Sequence, residues 1–163
     1  MTTAAIMSAI ETILFDTKDV SNNNYFTNTA AIKAVDVGNY KMLDQGVVCA
    51  AIILPGQFTS QDGSYEDVRN EDILVDLFWR YNSDAGSNWD NFTAFRDAVR
   101  DRLKSYPTLN GLTGVSQVQV VADEDPQDVT KSKNPEAGPV FILQRLRVTV
   151  TQRVAMTTGE YTS

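Results

Sequence analysis

Residues 141 to 156, FILQRLRVTVTQRVAM, alternate as one uninterrupted strand, and a strand of this length restricts every fold the rest of the chain can build. Sixteen residues at the rise of a β-strand extend roughly 50 Å. A compact domain of 163 residues has a radius of gyration of only about 15 Å. One face, Ile142, Leu146, Val148, Val150, Val154 and Met156, is apolar apart from Gln144 and Gln152. The other begins with Phe141 and Leu143 and continues with Arg145, Arg147, Thr149, Thr151 and Arg153. The apolar face is expected to pack on helices. The strand then either bends at Thr149-Val150-Thr151 and stays within its domain, or its far half projects to an acidic surface on a neighbouring subunit. The second course is the favoured expectation. It makes Arg145, Arg147, Thr149, Thr151 and Arg153 candidate interface residues, with Asp123, Asp125 and Asp128 as acidic candidates in the segment before the strand.

The remaining elements follow from periodicity. Ile6, Ile10, Ile13 and Leu14 recur at helical spacing and predict a helix over 3–15, with Thr2 or Thr3 as N-cap. Residues 30–37 and 46–54 read as strands, and 55–71 as a polar stretch centred on the turn dipeptide Asp62-Gly63. In DILVDLFWRYN, Val75, Leu77, Trp79 and Tyr81 form an apolar face, and Leu74, Asp76, Phe78 and Arg80 a mixed one. The strongest helix spans 88–104. Trp89, Phe92, Phe95, Val99 and Leu103 form its apolar stripe, Ser87 and Asp90 have capping-box spacing, and Tyr106-Pro107 ends it. A strand at 115–122 then pairs with the long strand as a C-terminal hairpin, across a polar connection, 123–138, expected to be mobile. The expected fold is one α+β domain over 1–163, with an ordered core from about 4 to 156. Its mainly antiparallel sheet carries an N-terminal helix and a central amphipathic helix.

Chemistry is conspicuous by what is missing. The chain has no histidine, which removes Ser-His-Asp and Cys-His nucleophiles and the commonest metal ligand. Cys49, the only cysteine, lies in VVCAAIIL and reads as a small buried hydrophobe. The acidic run from Asp123 lacks calcium-loop spacing, since it places Asp128 where Gly and Asn134 where Glu are needed. GLTG at 111–114 has no flanking basic residues and reads as a turn that ends a helix, not a nucleic-acid clamp. The aromatic residues read mostly as core. The expectation is a protein that is not an enzyme and takes no cofactor or metal. A formal charge of −7 argues against a duplex-binding stripe, though not against a surface that DNA slides past. No secretory signal is expected, because the first positive side chain is Lys18. The longest uncharged apolar run, Val47 to Leu54, is far short of a membrane span.

The order of elements, with SNWDNFTAFRDAVRDRLKSYP, VSQVQVVADEDPQDV and PVFILQRLRVTVTQRV, resembles the tail-terminator (tail-completion) proteins of long-tailed bacteriophages from about Ala4 to Met156. That resemblance implies a virion protein of the tail or neck, assembled in the host cytoplasm. Its subunits would form a hexameric ring that caps the tail tube, stops its polymerisation and joins the tail to the head's connector. The implied partners are other copies of the chain, the tail tube protein and a connector or head-closure protein. DNA would pass through the lumen without sequence-specific contact, and no membrane would be involved. A head–tail connector or head-closure protein would share this profile. A small cellular α+β ligand-binding module is a further alternative.

Overall fold

The computed structural model describes residues 2–27, 29, 31–38, 40, 43, 46–62, 66–82, 86–122, 124–130 and 139–155. In chain order these form α1 (Thr3–Leu14), β1 (Val35–Val37), β2 (Cys49–Asp62), β3 (Glu66–Arg80), α2 (Asn88–Lys104), β4 (Val115–Ala122), β5 (Gln127–Thr130) and β6 (Pro139–Ala155). The fold is α+β and mainly sheet. One six-stranded sheet has the order β1-β2-β3-β6-β4, with β5 beside β6 on the same edge as β4. It is antiparallel except at β1, which joins β2 in parallel through Val35 opposite Ala51 and Val37 opposite Ile53. The expected C-terminal hairpin is therefore interrupted: β5 intervenes between β4 and β6 and pairs with the latter.

Both helices lie where their apolar stripes predict. Ile6, Ile10, Ile13 and Leu14 of α1 are buried, as are Phe92, Phe95, Val99 and Leu103 of α2. Thr2 caps α1 by accepting a hydrogen bond from the Ala5 N–H at 3.2 Å, satisfying one of the helix's orphan donors. At its other end, the Thr17 hydroxyl donates to Leu14 O at 2.8 Å and the Arg102 Nε to Ile13 O at 3.0 Å. A guanidinium from the last turn of α2 thus meets the negative end of α1's dipole and ties the two helices together. Phe95 is the centre of the aromatic core, 5.3 Å from Tyr25, 5.5 Å from Phe26 and Trp79 and 6.4 Å from Phe92, measured between ring centroids.

Two expectations for α2 are corrected. Trp89 is 43% exposed because it sits in the first turn, where it packs edge-on against Phe92 and not on the sheet. Ser87 occupies the N-cap but makes no side-chain capping bond; its hydroxyl oxygen instead accepts from Asn91 Nδ2 at 3.3 Å.

The sheet corrects the reading of 55–71 as a polar connection. β2 runs on to Asp62 and β3 begins at Glu66, so the polar stretch is strand up to Asp62 and again from Glu66, while 63–65, with the expected turn at Asp62-Gly63, lie outside the described residues. β3 pairs with β6 without a break, from Glu66 opposite Ala155 to Arg80 opposite Phe141. The long strand therefore neither bends out of register at 149–151 nor projects alone. Its length is matched by β3, and β2 extends beside them. Part of the connection expected to be mobile is also strand: Gln127 to Thr130 pair with β6, from Leu143 to Pro139. Asp123 and residues 131–138 lie outside the described residues.

Candidate assembly surface

Side chains of β6 alternate between two environments. Ile142, Gln144, Leu146, Val148, Val150 and Gln152 are buried on the face that the helices cover. The two glutamines, which interrupt this apolar face in sequence, have specific partners. Gln144 Oε1 accepts from Arg96 Nη1 of α2 at 3.3 Å, and its Nε2 donates to Glu124 O at 2.9 Å. Gln152 Nε2 donates to Glu71 Oε2 at 3.5 Å, and Glu71 also accepts a hydrogen bond from the Thr3 hydroxyl. Glu71 is buried beside the first turn of α1, where the positive end of the dipole favours a carboxylate.

The opposite face carries the residues expected to meet a neighbour, and β3 supplies counterparts for them. Arg145 lies across from Asp76 and binds it bidentately, Nε to Oδ1 at 2.7 Å and Nη2 to Oδ2 at 3.1 Å. The Thr149 hydroxyl donates to Asp72 Oδ1 at 2.8 Å and the Thr151 hydroxyl to Asn70 Oδ1 at 2.8 Å. Arg147 stands opposite Leu74, and Arg153 opposite Val68. Asp76 is buried, and charge-assisted paired bonds of this kind are the strong ones. Hydrogen bonding to Asp76 holds the Arg145 guanidinium above its already high ordinary pKa, so it stays charged. Tyr40 covers this pair: burial first, and then the Asp76 carboxylate, push its phenol above the usual value.

Arg145, expected to meet an acidic surface on a neighbouring subunit, has an acidic partner in its own chain, Asp76. Of the acidic candidates, the two that the structure describes, Asp125 and Asp128, make no ion pair with Arg145, whose acidic partner is Asp76. Asp128 stands opposite Ile142, on the helix-covered side, and accepts a hydrogen bond from the Tyr81 hydroxyl at 2.5 Å. Burial, followed by this hydrogen bond, raises the Tyr81 pKa. Asp125 is exposed ahead of β5. Sequence reasoning missed Asn70, Asp72 and Asp76 as partners. The available signal was their alternation along 68–76, complementary in reverse order to Arg145, Thr149 and Thr151.

A cleft of about 350 Å³ lies at one end of the sheet, lined by residues that include Trp79, Tyr81, Asn82, Asn88 and Asn91. Its polar groups are largely bonded to each other: Asn88 Oδ1 accepts from the Asn82 N–H at 2.9 Å, and Asn88 Nδ2 donates to Asn82 O at 3.0 Å. Cys49 is buried and donates its thiol to Tyr25 O at 3.0 Å, and burial pushes its pKa up to about 12. That thiol is a poor nucleophile at neutral pH. Among the described residues, no group of three or more His, Cys, Asp or Glu is placed to hold a metal ion, and no helix is long and apolar enough to cross a membrane. No protein-family model matches this chain, and no curated protein matches it.

Proposed function

We propose that the chain is a structural virion subunit of the tail-terminator type, assembling into a ring that caps a tail tube, halts its polymerisation and joins the tail to the head. The observation that carries this reading is the sheet face opposite the helices. It is long, and its arginine at 145 is already neutralised by Asp76, while Asp72 and Asn70 occupy the threonines beside it. On a chain of net charge −7, such a face does not form the unopposed basic stripe that grips phosphates. It suits a wall past which DNA moves, because repulsion by an acidic ring would keep the duplex off the lumen surface. Arg145 becomes a strut of the subunit in this account.

A phage lacking its own copy should produce tails of abnormal length that fail to join heads. Normal tails and infectious particles from a strain with no other copy would reject the terminator role. Particles with normal tails that do not stay joined to heads would instead assign the chain to head closure. The cleft beside Tyr81 favours the alternative of a small-ligand binding module. A chain that is monomeric alone and with tail tubes would support that alternative.

A further inference from the structure

The sheet is closed unevenly along its two edges. On one side, β1 covers β2 only at Ala51 to Ile53, and among the described residues Leu54 to Asp62 have no strand outside them. On the other side, β4 is the outermost strand among the described residues over Val115 to Ala122. These two open stretches stand at the same level of the sheet. Leu54 lies opposite Leu74, which lies opposite Arg147, and Asp62 lies opposite Asp67, which lies opposite Val154. β4 spans nearly the same part of β6, from Ala122 opposite Leu146 to Val115 opposite Gln152. One rung crosses the whole sheet: Gln117, Thr151, Asn70 and Thr59.

Pro55 and the bulge after it mark the start of the open β2 stretch and Asp62 its end, but between them, and along β4, the usual protection is missing among the described residues. VSQVQVVA in β4 contains no charge and no proline, and QFTSQ in β2 contains none either. Isolated proteins blunt such edges with lysine, proline or a covering segment, because an open row of N–H and C=O groups recruits another strand. Exposed Phe58, 53% accessible, and Val121, 46% accessible, add apolar surface beside the two rows.

We infer that β4 of one copy pairs with the outer edge of β2 in the next copy, so that a second copy of this chain extends the sheet head to tail. The sense of pairing follows from the fold. β4, β6, β3 and β2 are successively antiparallel, so β4 and β2 run in opposite directions. Rotation about an axis along the strands preserves those directions and brings β4 against the next β2 antiparallel, the more stable arrangement. A head-to-tail contact that closes makes a ring, and one that does not close makes a filament. The inference deepens the ring proposed above by naming its interface, but edge pairing does not require a tail.

The test is a disulfide pair, Gln117→Cys with Thr59→Cys, in the full chain. Within one copy these positions are three strand spacings apart, about 14 Å, beyond the roughly 7 Å between Cα atoms that a disulfide spans. Any bond between them therefore joins two copies. Mild oxidation should give a covalent ladder ending in a closed species, whereas each single variant should remain uncrosslinked. A dimer from Gln117→Cys alone would mean that β4 pairs with itself, and would overturn the inference. Absence of a ladder while the variant still assembles would overturn it too. As a second variant, Gln117→Lys with Gln119→Lys should leave the melting temperature unchanged and weaken self-association at least about tenfold, close to 1.4 kcal/mol. Unchanged association would count against edge pairing. Cross-linked rings that leave tail tubes uncapped would keep the edge pairing and reject the terminator reading. Capped tubes without the cross-link would do the reverse.

Discussion

Arg145 and Asp76 are 69 residues apart in sequence and are joined by two hydrogen bonds across β6 and β3, the shorter at 2.7 Å. The Asp76 side chain is 6% accessible and the Arg145 side chain 33%. Truncating the arginine would leave a buried carboxylate without its counter-ion. Arg145→Ala should cost about 3 kcal/mol, the low end for a broken buried pair, because the arginine is partly solvated. Urea unfolding measures this. A loss under about 0.5 kcal/mol, the range of ordinary surface changes, would mean that the pair contributes nothing to the subunit.

The aromatic centre gives a second prediction. Phe95 is fully buried among Tyr25, Phe26, Trp79 and Phe92. Phe95→Ala should cost about 3–5 kcal/mol by loss of burial and creation of a cavity. A shift of the unfolding midpoint equivalent to less than 1 kcal/mol, on the scale of an ordinary substitution, would place this ring outside the core.

How much of this was legible in sequence depended on how local the cause was. The 88–104 helix and the 115–122 strand were readable to the residue, since an apolar stripe and Tyr106-Pro107 delimit the first and turn glycines the second. The distal halves of β2 and β3 were not readable. GQFTSQD and EDVRNED have no apolar face, and Glu71 is buried only because Thr3 and Gln152 meet it. Gln144 and Gln152 were visible as interruptions, but their partners were not. The arginine face was recognised as needing acids. The choice of Asp76 over Asp128 is a matter of register and of which face a strand presents, and neither is encoded locally. Open edges are a property of strand order, so no window of sequence displays them.

Gly56 lies at the β-bulge between Pro55 and Phe58, where β2 gains one residue on β3. A Cβ built there would stand 2.7 Å from Asp72 O, too close for any ordinary contact and against backbone that cannot swing away. Gly56→Ala should therefore cost about 1–3 kcal/mol, as overpacking does. Hydrogen exchange should show the loss concentrated in pairs beyond the bulge, from Phe58 opposite Glu71 to Asp62 opposite Asp67. Unchanged stability and protection would contradict the packing described around Asp72.

Cys49 gives a prediction with pH. Burial raises its pKa from 9.0 to about 12, so the folded state holds the thiol proton more tightly than the unfolded chain does. This group leaves stability unaffected below about pH 9 and erodes it as pH rises from there toward 12. At pH 8 a thiol reagent should label the folded protein only at the rate of unfolding, and label denatured chain at once. Rapid labelling of folded protein would show that the thiol is accessible. Cys49→Ala should flatten the alkaline limb of the stability curve.

The ring itself is the central claim, and mass in solution tests it most directly. Native mass measurement of the purified chain, alone and after addition of tail tubes, should show a closed species of six times the 18.0 kDa subunit, free or on tube ends. A single species of 18.0 kDa under both conditions, with tubes left uncapped, would contradict it.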